Sequence, residues 1–154
     1  MMVTTASDQT WGFSVQFDDH VALRNARIPD KIALQLPSSN ICFISKEPLD
    51  FFSRRRYILS DANQDPIAVL SGRIGWAALK VRDTNHRVRM RAIFGLPIAI
   101  GRQSYAVESL GIEFEIREHF FSSKVVSKTD AIEDQTLALI TLLHFAWIHK
   151  WREA

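Results

Sequence analysis

Up to about Thr129 the chain alternates apolar and polar residues with a period of two. Phe13, Val15 and Phe17 are separated by polar neighbours, as are Ile32, Leu34 and Leu36, and Ile112, Phe114 and Ile116 alternate with Glu113, Glu115 and Arg117. This spacing predicts half-buried β-strands, because successive side chains of a strand point to opposite faces. Further short runs at 41–44, 56–60, 67–70, 77–82, 87–94, 104–108 and 124–127 extend the series. Pro37-Ser38-Ser39-Asn40, the segment 61–66, Asp83-Thr84-Asn85 and Leu110-Gly111 supply turn chemistry between them. Strands about ten residues apart without helical patterns between them predict an antiparallel meander rather than βαβ units.

One segment departs from this rhythm. LALITLLHFAWI, residues 137–148, is apolar almost all round a helix, with only Thr141 and His144 as polar positions on the line of Asp134. A helix is predicted at about 130–151, with Thr129-Asp130 as cap, Glu133 and Asp134 near the positive end of its dipole and Lys150 and Arg152 at the other. Such a helix must be buried, and it is shorter than the about twenty apolar residues that cross a bilayer. Burial of its large side chains, at roughly 1.5–3 kcal/mol each, is comparable with the net stability of a domain. A sheet packed on one side leaves much of it wet, whereas a curled sheet covers it. The expected fold is therefore mainly β (α+β): an antiparallel β-barrel of about ten to twelve short strands enclosing a hydrophobic C-terminal α-helix. The competing arrangement sets the helix on an open sheet or at an oligomer interface.

Composition fits one domain. The 154 residues are 47% hydrophobic and 23% charged, a globular balance at a length that buries a real core. We expect a flexible N-terminus over 1–10 and a single domain over 11–154. The lone Cys42 rules out an internal disulfide and a cysteine zinc site, and favours a reducing compartment; a cytoplasmic protein, with peripheral membrane association as a candidate, is the expectation. The opening residues do not read as a secretory signal. The five histidines lack metal-ligand spacing, Asp18-Asp19-His20 lacks a nucleophile signature, and no glycine-rich phosphate loop is present. Neither metal nor cofactor is expected, and no residue stands out for an enzymatic role.

The net charge of +2 implies little; its distribution implies more. Arg87, Arg89 and Arg91 alternate with apolar residues, so a strand there would set a row of guanidinium groups on one face, which Lys80 and Arg82 on the hairpin partner could extend. Arginine offers planar, permanently charged, bidentate donors to phosphate. The competing reading pairs these arginines with Glu113 and Glu115 across the sheet. A second basic cluster, Arg54, Arg55 and Arg56, adjoins Phe51 and Phe52 and suits a membrane or nucleic-acid surface, or an exposed loop. YILSDAN (57–63) and LKVRDTN (79–85) share a strand, Asp-x-Asn, strand grammar, which is either a repeat or a common turn signal.

Many short strands in this rhythm, followed by one hydrophobic C-terminal helix introduced by an acidic residue, resemble the tubby C-terminal-like superfamily of tubby proteins, phospholipid scramblases and plant LURP-one-related proteins. The resemblance is architectural and covers 41–151; Asn63 and Asn85 stand where family members often carry glycine. It implies a barrel of about twelve strands threaded by the helix, and binding of phosphoinositides through basic surface residues. The expected function is a non-enzymatic binding module for anionic phospholipid head groups or phosphorylated ligands. The alternative is a protein-interaction or assembly subunit, homo-oligomeric included, contacting its partner through the N-terminal segment and exposed aromatics such as Trp11. An anionic membrane surface and a protein partner are the candidate partners; nucleic acid and a transmembrane span are not expected.

Overall fold

The computed structural model describes residues 2–7, 12–27, 31–48, 54–73, 78–85, 87–93, 102–107, 112–119, 122–128 and 133–152. Strands run in chain order as β1 (Met2–Ser7), β2 (Gly12–Phe17), β3 (His20–Arg27), β4 (Lys31–Gln35), β5 (Ile41–Lys46) and β6 (Arg54–Ser60). They continue as β7 (Pro66–Arg73), β8 (Ala78–Asp83), β9 (Val88–Ile93), β10 (Arg102–Val107), β11 (Ile112–His119) and β12 (Ser122–Lys128), followed by the helix α1 (Asp134–Arg152). The mainly β class with one C-terminal helix is as the periodicity predicts.

Two six-stranded antiparallel sheets form, in the orders β10-β11-β12-β1-β2-β3 and β4-β5-β6-β7-β8-β9. We call them the first and second sheet. The single closed barrel expected from helix burial is not found. β3 lies beside β4 and β9 beside β10, but no ladder joins either pair among the described residues. Irregular pairing accompanies both gaps: β2–β3 shifts register between Phe13 and Val15 and again between Val15 and Gln16, and β8–β9 shifts between Val81 and Arg82. Bulges bend and twist the bulged strand, which turns an edge away from its neighbour.

The N-terminal residues correct a second expectation. Met2–Ser7, placed in a flexible leader by the sequence reading, is an inner strand of the first sheet, paired with β12 on one side and β2 on the other. Its inward Val3 and Thr5 are buried. Asp18, at φ 47° in the β2–β3 turn, fastens the start of β1: its amide donates to the Met2 carbonyl (2.8 Å) and its Oδ1 accepts from the Met2 amide (2.7 Å).

The helix lies between the sheets, packed on β1 and β12 of the first and on β6 and β7 of the second. Residues 137–146 and Ile148 are all buried, as the all-round apolar pattern requires. Phe145 touches both walls: its ring meets Phe13 of β2 edge-on at 5.4 Å and Tyr57 of β6 edge-on at 5.8 Å. Such T-shaped pairs add about 0.5–1.5 kcal/mol beyond the area they bury. The helix starts at Asp134 rather than near 130; Thr129 and Asp130, expected as its cap, lie outside the described residues. Its first-turn carboxylate is instead held by the β4–β5 turn, where Ser38 Oγ and Asn40 Nδ2 (3.2 Å) donate to Asp134 Oδ2. A carboxylate there also suits the helix dipole.

The two Asp-x-Asn segments build the same turn. Asp61 Oδ1 accepts from the amides of Asn63 (2.9 Å) and Asp65 (3.0 Å), and Asp83 Oδ1 accepts from those of Asn85 (2.9 Å) and Arg87 (3.0 Å). Each ladder also shifts register just before its aspartate, at Leu59/Ser60 and at Val81/Arg82. In the first turn the left-handed backbone falls on Gln64, at φ 65°, and not on Asn63.

Two stability outcomes follow. Phe145→Ala removes the ring that both sheets share and is expected to cost about 3–5 kcal/mol in urea unfolding, with Phe145→Leu costing less. Asp61→Ala and Asp83→Ala each remove an acceptor for two amides and should cost about 1–2 kcal/mol, whereas Asp→Asn at either site, which keeps the acceptor, should cost less than half of that.

Candidate functional site

The strands that carry the two basic clusters seen separately in the sequence are joined by register in the second sheet. On β6 and β7 the core side chains are Tyr57, Leu59, Ala68 and Leu70, all buried, so alternation assigns Arg56, Ile58, Val69 and Ser71 to the outer face. Register then carries a row from Arg56 to Ser71, from Ser71 to Lys80, and from Lys80 to Arg91. Arg54 lies opposite Arg73 one pleat further along, and Arg82 lies opposite Val69. Arg55 has the opposite parity and faces Gly72 in the ladder.

The remaining predicted residues are placed differently from a plain alternating strand. Arg87 precedes β9 and is exposed in the turn, where its carbonyl accepts from the Asp83 amide (3.0 Å). Arg89 falls in the irregular stretch opposite the Val81–Arg82 step. The row of three arginines on one strand is thus replaced by a row running across four strands, of which Arg91 is one end. Arg73 was not singled out in the sequence; only long-range pairing of β6 with β7 brings it beside Arg54.

Beside this row a surface cleft of about 370 Å³ is lined by Arg56, Pro66, Val69, Ser71, Arg82 and Thr84, among others. Arg56 is 49% exposed and pairs with Glu47 at 3.4 Å, the Glu47 amide also donating to the Arg56 carbonyl at 2.9 Å. A pair this exposed contributes at most about 1 kcal/mol and leaves the guanidinium open to exchange for another anion. Glu113 and Glu115, the expected partners of the arginine row, belong to the other sheet: Glu113 lies opposite Lys128 and Glu115 opposite Val126.

The other candidates have structural roles. His20 Nε2 donates to the Gln35 carbonyl (2.8 Å), linking β3 to β4, and its ring stacks on Phe17 at 6.4 Å. Cys42 is buried, and burial, aided by the negative charge of Asp134, pushes its thiol up to about 12, so it is not a nucleophile at neutral pH. Thr141 Oγ1 donates to the Leu137 carbonyl one turn back (2.8 Å). His144 is 1% exposed and its Nε2 lies 3.2 Å from Ser127 Oγ of β12, a hydrogen bond whose donor follows the imidazole tautomer. Burial lowers its pKa to about 3, so the imidazole is neutral. Among the described residues no group of His, Cys, Asp and Glu could hold a metal ion, and no helix is long and apolar enough to cross a membrane. Phe51, Phe52, Trp11 and Trp76 lie outside the described residues.

Compared with protein-family models, curated proteins and solved structures, the chain matches none.

The His144 environment sets a pH dependence. The unfolded chain takes up a proton near 6.5 while the folded protein resists it to about 3, so stability is full above pH 6.5 and falls as pH drops through this window. The slope owed to His144 is about 1.4 kcal/mol per pH unit. Chemical denaturation of His144→Gln across the same range should show that slope removed; parallel pH curves for both proteins would contradict the assignment.

Proposed function

We propose that this protein is a non-enzymatic binding module for anionic phospholipid head groups or similar phosphorylated ligands, and that the ligand meets the outer surface of the second sheet at Arg56, Lys80, Arg82 and Arg91. The observation that carries this reading is the register, which brings cationic positions of β6, β8 and β9 into one row, across Ser71 of β7, beside a cleft lined by Arg56 and Arg82. Phosphate is suited by guanidinium groups, which stay charged at any physiological pH and can donate two parallel hydrogen bonds. Val69 and Pro66 supply an apolar flank for the uncharged part of such a ligand.

The tubby-like resemblance supports the same reading, since barrels of that superfamily bind phosphoinositides. We propose that the two sheets are halves of such a barrel. Their strands follow one another cyclically around the helix, and β12 returns to pair with β1. The competing assembly reading has less to stand on, because the N-terminal segment it needed as a contact surface is spent inside the first sheet.

The test is co-sedimentation with liposomes containing phosphatidylserine or phosphoinositide. Wild type should bind at low salt and release as salt screens the charges, and a Lys80→Gln, Arg82→Gln, Arg91→Gln variant with native near-ultraviolet circular dichroism should lose at least tenfold in affinity, at about 1 kcal/mol per cation. Absence of wild-type binding at low salt would remove this function.

A further inference from the structure

The cleft on the second sheet is larger than a phosphate group needs. At about 370 Å³ it falls at the small end of sites that take a whole organic ligand. Its lining follows β7 from Ser71 through Val69 and Ala68 to Pro66, roughly 17 Å of extended strand. Register sets Arg56 of β6 opposite Ser71 and Arg82 of β8 opposite Val69, so the two arginines flank one end of this stretch from either side. A carboxylate already marks an anion position there. Glu47 Oε2 stands 3.4 Å from Arg56 Nη1, further than the about 2.7–2.9 Å of a well-formed charge-assisted hydrogen bond. Arg82 keeps an interaction of its own; the exchangeable cation is Arg56.

Beyond the arginines the lining changes character. Val69 is half-buried, Ala68 buried and Pro66 exposed, and none of these side chains can hydrogen-bond. Ile58, opposite Val69 and also half-buried, widens the apolar strip. Asp83 lies opposite Ala68 and lines the same end of the cleft. Its Oδ1 is engaged by the Asn85 and Arg87 amides, and its negative charge opposes a second anion at that end.

We infer that the cleft takes a phosphate ester with a single phosphate and an apolar stem, the phosphate exchanging with Glu47 at Arg56 and the stem lying along Val69 and Pro66; this rests on the anionic-ligand reading of the cleft and names its ligand class. A bare phosphate leaves the apolar strip in water. A ligand phosphorylated at both ends brings like charge to Asp83. One phosphate on a hydrocarbon stem suits both ends, and a free alkyl phosphate and a lipid with one phosphate share that chemistry.

The deciding measurement is calorimetric titration of the wild type with methyl, ethyl, propyl, butyl and hexyl phosphate and with butane-1,4-diyl bisphosphate. Affinity should rise about two- to fourfold per methylene and level off once the stem outruns the strip, and the bisphosphate should bind more weakly than butyl phosphate. Val69→Thr should flatten the rise, Arg56→Gln should weaken the whole series about tenfold, and Asp83→Asn should narrow the gap between butyl phosphate and the bisphosphate. Equal affinity for methyl and butyl phosphate, or tighter binding of the bisphosphate, would overturn the inference while leaving the anionic reading. Phosphatidylcholine vesicles carrying phosphatidic acid separate the two sources: binding that butyl phosphate competes extends the class to lipids, and alkyl phosphate binding without vesicle binding assigns the site to a free ligand. Vesicle binding that no alkyl phosphate competes would overturn the stem site alone. Absence of binding to every phosphate probe and to vesicles would overturn both readings.

Discussion

A helix that is apolar on every side cannot be satisfied by one sheet. Leu137 to Ile148 can leave water only if strands approach it from opposite directions, and the position of Phe145 between Phe13 and Tyr57 shows how that is met. One ring touches an inner-facing ring of each sheet, so the spacing of the two walls is set by the side chain between them. The curvature of each sheet and the burial of Val3 on one wall and Leu70 on the other follow from the same demand. Close packing in such a core tolerates neither a gap nor an added methylene well.

Thr5 Oγ1 on the β1 wall is buried without a hydrogen-bond partner, but the polar side chains on the helix find local ones. Thr141 uses the helix's own backbone, His144 uses Ser127 of the neighbouring strand, and Asp134 reaches the β4–β5 turn at the helix mouth. These bonds act at separate levels along one line of the helix, so they fix its axial position and rotation as well as satisfying hydrogen-bonding groups. A purely apolar helix would slide more freely between two greasy walls; discrete polar contacts select one setting.

Much of this was legible in the chain. Alternation at Phe13, Val15 and Phe17, and at Ile32, Leu34 and Leu36, names buried residues correctly, and the unbroken apolar run identifies the enclosed helix. β1 escaped because Thr, Ala and Ser weaken the contrast between its faces; Val3 was the one strong signal. Closure of a single barrel was inferred from burial alone, which asks only that the helix be covered and is indifferent to whether neighbouring edges exchange hydrogen bonds. At the candidate site, Arg87 was misplaced in a strand because the Asp83 carboxylate takes its amide into the turn. The placement of Arg73 opposite Arg54 was not legible because it depends on the register of β6 against β7, a relation no local pattern encodes.

The division of the chain between the sheets has a consequence for how the protein is made. The second sheet is a continuous stretch, with each strand paired to the next from β4 to β9. The first is assembled from both ends, and β1 must wait for β12 before its outer edge is filled. During synthesis the second sheet is therefore complete while half of the first is still being added and the helix that holds the walls together has yet to emerge. Until then the inner faces of β4–β9 are an open apolar surface, the kind of transient species that chaperones shield. Long-range pairing of the chain's two ends and insertion of α1 make the final step slow in the way non-local β-topologies are. A segment translated after every one of these strands is the one that brings the two exposed sheets together.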